Sequence, residues 1–182
     1  MIASTTVGTT TIAQTPAPSL TSPTDAPPTT TGPLEFVDGT FLGMRQGSLL
    51  TDAVTALGVE PMTASEAELT GPVYACTGTT DPMVIRSAGL TLVFEHLTPS
   101  DDYVLTNWRY TGGPVAGFTE MVGPGNIRIG DPRDKVEAAF PDLADMGDQL
   151  SVSSPVQRYG LVDNIVDWFG PIDCVFESLP TD

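Results

Sequence analysis

The chain has 182 residues and a mass of 19.1 kDa, the size of one domain or two small ones, and its 40% hydrophobic content is enough for a core. Seven Lys and Arg against 23 Asp and Glu give a formal charge of −16, which repels phosphate backbones and anionic membrane faces and leaves a protein partner, favoured if basic. No apolar run approaches the roughly 18 residues of a membrane span, and one histidine with two cysteines leaves little for metal or triad chemistry.

Residues 1–33 are mostly Thr, Pro, Ser and Ala, with Asp25 as the only charged side chain. Prolines at 16, 18, 23, 27 and 28 break any apolar period. Ordering such a stretch costs about 1–2 kcal/mol per residue, more than its side chains can repay. It reads as a disordered, partly extended linker. Tethers of this composition connect an export signal or lipid anchor to a folded envelope domain. The Met1-Ile2-Ala3 start has neither a basic nor a continuous apolar region of a signal peptide. We therefore expect an extracellular or envelope-anchored protein with its signal, and any lipid anchor, upstream of residue 1. The alternative is a cytoplasmic protein with a floppy head. Lys135 is the only lysine beside six arginines, a bias of GC-rich bacterial genomes.

The remainder reads as two copies of one unit, residues 34–113 and 114–182. Val93-Phe94-Glu95-His96-Leu97 recurs as Val175-Phe176-Glu177-Ser178-Leu179, and Phe41-Leu42-Gly43-Met44 resembles Arg128-Ile129-Gly130-Asp131. Each of the latter precedes a helical pattern. In the first, Leu49, Leu50, Ala53, Val54 and Leu57 share a face, and Gly58 is a natural terminator. In the second, Val136, Ala139, Phe140 and Leu143 share a face, with Asp131 placed to cap and Pro132 at the first helical position. Strand patterns follow at 73–76, 83–86, 90–96 and 103–110, and then at 156–159, 164–169 and 172–178. The fold class expected is α+β: two tandem helix-plus-antiparallel-meander repeats behind a disordered tether. The second copy is one strand short, with nothing to match Tyr103–Tyr110. Such an exposed edge needs a cover, and residues 34–40 or a partner strand could supply it.

The Leu42-Gly43-Met44 opening, the Ala56-Leu57-Gly58 helix end, Ile129-Gly130 and the two Val-Phe-Glu strands resemble the fold of the outer-membrane assembly lipoprotein BamE. Tandem β-lactamase inhibitory proteins repeat a similar unit twice. The resemblance spans Phe41 to Ser178 loosely and rests on turn and core residues. It implies a protein that binds other proteins through an aromatic sheet face and does no catalysis. By resemblance the face would hold Tyr74, Trp108, Tyr110, Tyr159 and Trp168. An aromatic content of 7% is low for a tight binding surface. No inhibitory loop carries over residue by residue.

Other chemistry is thinly represented. His96 follows Glu95 at a strand end, and no nucleophile elbow accompanies it, so a solvent-facing histidine is expected. Glu95 and Glu177 recur without a catalytic partner. Asp142, Asp145 and Asp148 lack an EF-hand pattern and read as a solvated helix end. Cys76 and Cys174 lie on strands of different copies, and are either a disulfide joining them or two buried thiols. Trp108 and Trp168 alternate with polar neighbours as core aromatics do. No metal or cofactor is expected. The function expected is a non-enzymatic protein-binding module of the cell envelope or secreted fraction, with its contact face on the sheets. An inhibitor of a secreted enzyme, a small carboxylate-based hydrolase and a structural envelope spacer are the alternatives.

Overall fold

The computed structural model describes residues 32–37, 39–76, 81–98, 102–153 and 156–171. All but the last two residues of the expected linker lie outside that set, as does the expected strand 172–178. The described fold is α+β. Three helices, α1 (Leu50–Leu57), α2 (Ala64–Glu68) and α3 (Arg133–Ala139), accompany one large antiparallel sheet. Its eight strands are β2 (Met62–Thr63), β3 (Met83–Ser87), β4 (Leu90–Glu95), β5 (Val104–Tyr110), β7 (Ala144–Asp145), β8 (Gln149–Ser153), β9 (Val156–Val162) and β10 (Ile165–Gly170). Their spatial order is β2-β3-β4-β5-β10-β9-β8-β7. Two meanders therefore run inward from opposite edges and meet at β5 and β10. A separate parallel pair joins β1 (Pro33–Glu35) to β6 (Glu120–Val122).

Short-range chemistry explains the turns. Gly58 ends α1 in the left-handed region, at φ 63°, and its N–H donates to the Val54 carbonyl, as its glycine predicts. Asp163 and Asn164, both at positive φ, make the two-residue turn between β9 and β10, a conformation that short polar side chains tolerate. Thr63 caps α2 by a reciprocal box, accepting from the Glu66 N–H while the Glu66 carboxylate accepts from the Thr63 N–H at 2.9 Å. These hydrogen bonds hold the Glu66 carboxyl below its ordinary pKa.

Each of the longer helices is tied to the sheet by the same hydrogen bonds. Gly47 N–H donates to Leu105, Leu105 N–H to Ser48, and Leu50 N–H to Tyr103. In the other half Gly130 N–H donates to Val166, Val166 N–H to Asp131, and Arg133 N–H to Asn164. Gly47 and Gly130 have φ of 88° and 89°. Arg45 N–H donates to the Ser48 hydroxyl and Arg128 N–H to the Asp131 carboxylate. Leu49 and Pro132, the residues before the helices, bridge to Val104 and Ile165, at the starts of β5 and β10.

Several sequence expectations need correction. The segment matching Arg128–Asp131 in hydrogen bonding is Arg45–Ser48, four residues after Phe41-Leu42-Gly43-Met44. Asp131 does not cap α3. Pro132 is the capping residue, and the Asp131 carboxylate instead accepts from Lys135 Nζ at 2.6 Å. Residues 73–76 are not a strand. Among the described residues four strands follow α3, since β7 and β8 escaped the pattern; the strand expected at the exposed edge, 172–178, lies outside them, and the last described strand is β10. It pairs with β5 rather than lying at an edge. Of the residues 34–40 expected to cover that edge, Leu34 and Glu35 pair instead with Met121 and Val122 of β6, and the edge itself, 172–178, lies outside the described residues.

One face of the sheet carries the core. Leu90, Leu92 and Phe94 of β4, Trp108 and Tyr110 of β5, Leu150 and Val152 of β8, Tyr159 and Leu161 of β9, and Phe169 of β10 pack with Ala53 of α1 and Val136 of α3. A chain of rings runs through it. Trp108 lies 5.2 Å from Phe36, 5.1 Å from Phe41 and 6.1 Å from Phe169, which in turn lies 5.2 Å from Tyr110 and 6.0 Å from Tyr159. The buried phenols are satisfied. Tyr110 donates to the Gly113 carbonyl at 2.7 Å and accepts from Met121 N–H at 2.9 Å, and Tyr159 donates to the Pro124 carbonyl at 2.8 Å. Burial raises the pKa of both phenols above the ordinary value of 10.0.

Tyr110→Phe leaves Met121 N–H and the Gly113 carbonyl without this partner, and should cost about 1–3 kcal/mol in urea unfolding. A neutral phenol with a raised folded pKa contributes stability that is complete below the unfolded value and is lost as pH rises above it. Stability of the wild type should therefore fall above pH 10.0, and that fall should be shallower in Tyr110→Phe. An unchanged urea midpoint in the variant would show that the two hydrogen bonds carry nothing.

Candidate functional site

Among the described residues, the other face of the sheet is covered in the first half only. Between α2 and β3 the chain crosses it, held by side chains from below. Arg86 donates to the Thr70 hydroxyl and to the carbonyls of Gly71 and Pro72, and Asn107 Nδ2 donates to the Tyr74 carbonyl. At the end of the crossing Cys76 N–H donates to Glu95 Oε2 at 2.6 Å. The same oxygen accepts from the Thr106 hydroxyl at 2.6 Å, across the bulge where the β4–β5 register shifts. Glu95 is wholly buried, so this recurring acid serves as an anchor of the crossing segment.

Where the crossing ends a cleft opens, about 330 Å³ in volume, lined by Tyr74, by Asn107, Trp108 and Arg109 of β5, by Gln149 and Arg158, and by Trp168 and Pro171. It lies over the seam of the two meanders. Arg109 of β5 is held between two rings, its guanidinium carbon 4.4 Å from the Trp168 ring centre and 5.4 Å from that of Tyr74. Its Nη1 also donates to the Tyr74 hydroxyl at 3.0 Å.

Two glycines make room. Gly170 pairs with Arg158 on β9 and lies against Arg109 on β5, where a Cβ would stand 3.6 Å from the Arg109 Cα and 2.5 Å from the Trp108 carbonyl oxygen. The two arginines thus flank a residue without a side chain, about 10 Å apart across two strand spacings. Gly160, opposite Trp168, has the indole laid across it, and a Cβ there would stand 1.7 Å from the indole nitrogen. A bulge at Asp167, between Val166 and Trp168, sets the indole on the cleft face while Val166 and Phe169 stay in the core.

The cleft concentrates positive charge in an acidic protein. Of the seven cations, Arg128 pairs with Glu120, Arg133 with Glu137 and Asp145, and Lys135 with Asp131, while Arg45 is exposed and forms no ion pair among the described residues. Arg86 is held by the crossing segment. Among the described residues no carboxylate forms an ion pair with Arg109 or Arg158, and the Nε of each is buried without a hydrogen-bond partner.

Of the aromatics expected on a binding face, only Tyr74 and Trp168 are there. Tyr74 is 49% exposed and Trp168 partly buried. Trp108, Tyr110 and Tyr159 are core residues, at most 4% exposed. Alternation along β5 turns Trp108 and Tyr110 inward and leaves Asn107 and Arg109 outward. The sequence reading missed both arginines, because nothing local marks them as neighbours. His96 stacks on Tyr103 with ring centres 3.8 Å apart. Asp145 accepts from Gly147 N–H at 2.8 Å and pairs with Arg133, contacts that lower its pKa. Asp142 and Asp148 show no shared ligand site with it, and no metal-holding cluster occurs among the described residues. Cys76 is disulfide-bonded, and Cys174 lies outside the described residues.

Comparisons with protein-family models, with curated proteins and with solved structures find no match to this chain. No described helix is long and apolar enough to cross a membrane.

Gly160→Ala should evict the Trp168 indole and cost about 1–3 kcal/mol through overpacking. Its tryptophan emission should move to the red, since Trp108 stays buried. Arg109→Met should leave the unfolding free energy within about 1 kcal/mol of wild type, because it removes only two ring contacts and the hydrogen bond to the Tyr74 hydroxyl, all at the surface. Equal losses in the two variants would show that Arg109 is part of the scaffold.

Proposed function

We propose that this protein is a non-enzymatic protein-binding module that receives its partner on the outer face of the eight-stranded sheet, over the β5–β10 seam. The observation that carries the reading is the open, aromatic-walled cleft holding two guanidiniums without carboxylate partners. The aromatic pair Tyr74 and Trp168 with Arg109 is the residue chemistry that anchors protein interfaces. The overall charge of −16 adds a field that steers a partner with a basic rim.

The matched hydrogen bonds at Gly47 and Gly130 support a further part of the proposal, that the two halves are copies of one helix-plus-meander unit. The BamE-like and tandem-inhibitor resemblance belongs with it. An exported or envelope-anchored location is supported by the linker composition and by the disulfide at Cys76, which persists in oxidising compartments. We assign its partner as Cys174, the only other cysteine.

Two measurements test this. A photo-crosslinking residue at Ser151, on the outer face beside Arg158, should capture the same cellular partner in repeated experiments. One at Glu137, on α3, should not. Capture from Glu137 alone would move the interface to the helical side and sink the reading. The native protein isolated from the envelope or medium should be two protons lighter than its reduced form. A cytosolic protein with free thiols would overturn both the location and the pairing.

A further inference from the structure

We infer that the cleft binds a carboxylate of the partner, held between Arg109 and Arg158, with the adjoining apolar part of the ligand against Trp168. This rests on the docking-face reading and names the chemistry of its centre.

Three observations lead there. First, a buried guanidinium nitrogen without an acceptor is costly, and here two such nitrogens lie in one cleft. Among the described residues no carboxylate pairs with either arginine, although acids are abundant in this chain. Second, Gly170 leaves the space between them open, and its neighbours forbid a side chain there. Third, the walls supply what a carboxylate on a peptide needs. The planar forks of arginine match carboxylate oxygens, and Gln149 lines the same cleft. Arg109 is already ordered by its two rings, so less freedom is lost on binding. A polyphosphate or nucleic acid would meet the repulsion of the whole molecule, which a single carboxylate largely escapes. The acidic surface and the basic cleft thus have separate roles, one in steering and one in gripping.

The test is a titration of the full ¹⁵N-labelled protein, read on the Arg Nε, Trp168 Nε1 and Gly170 resonances. The probes are N-acetyl-Trp-Glu-amide, which has only a side-chain carboxylate, N-acetyl-Trp-Gln with a free terminal carboxylate, N-acetyl-Trp-Gln-amide with none, and phenyl phosphate. At least one carboxylate peptide should shift these resonances saturably, at least tenfold more tightly than the neutral peptide. Whichever carboxylate peptide binds better identifies the source as a side chain or a chain end. Arg158→Met and Arg158→Lys should each weaken that binding tenfold or more, since lysine cannot supply the fork. Equal binding of the neutral peptide, no saturable binding of either carboxylate peptide, or phenyl phosphate binding tenfold more tightly would overturn the inference. Asp173→Asn/Glu177→Gln/Asp182→Asn should bind the peptides unchanged. A tenfold gain would make the chain's own C-terminal acids the occupant and overturn the assignment to a partner. Failure here is separable from failure of the docking face: Ser151 crosslinking that persists in Arg158→Met refutes the carboxylate grip alone, whereas its loss in the unsubstituted protein refutes the face.

Discussion

The pairing of β5 with β10 is the constraint on which the rest of the molecule depends. It joins two meanders, each too small to bury a core of its own, into one eight-stranded sheet. Its register sets Phe169 opposite Tyr110, which places Phe169 between Trp108, Tyr110 and Tyr159 and makes the ring chain continuous across the two halves. Because strand side chains alternate, the same register sets the neighbours of these rings on the opposite face. A slip of one residue would bury Arg109 and expose Trp108 together.

The cleft is therefore a by-product of the joint that has been given particular residues. Each half supplies one arginine, and β10 supplies the glycine between them and the indole beside them. A lone meander could offer Arg109 or Arg158, never both. The inward-running strands of the two meanders meet edge to edge, and the cleft forms at that seam. Among the described residues the outer face is unevenly covered. The segment from α2 to Cys76 closes the first half, where Val84 and Val93 would otherwise be bare, and its Tyr74 forms one wall of the cleft.

Electrostatics work at two ranges. At long range the excess of carboxylates dominates and falls off over about 10 Å in ordinary salt. Inside the cleft the two guanidiniums dominate, since no described carboxylate pairs with them. A partner with a basic surface and one projecting acid satisfies both, which is a more selective requirement than either alone.

The sequence by itself determined the longer local elements, while α2, β1, β2 and β6 were too short to show a period. Apolar spacing located α1 and α3, the Gly58 terminator ended the first helix, and period-two runs located β3, β4, β5, β9 and β10. Net charge and the single histidine narrowed the chemistry. These are properties of neighbouring residues, and near neighbours in the chain decide them. Strand β7 escaped because a two-residue strand has no period, whereas Gln149–Ser153 does alternate, with Leu150 and Val152 buried, so β8 was legible as a short strand and was overlooked. Only the tertiary structure decided the strand order, and with it which aromatics are core and which are exposed. The strands around Trp108 and Trp168 have similar composition, yet one ring is buried among other rings and the other lies across Gly160. That difference comes from a bulge at Asp167 and from a register set by residues some 60 positions apart. Pairing over such distances is chosen by the burial of the whole sheet face, a sum over many side chains that no local pattern contains.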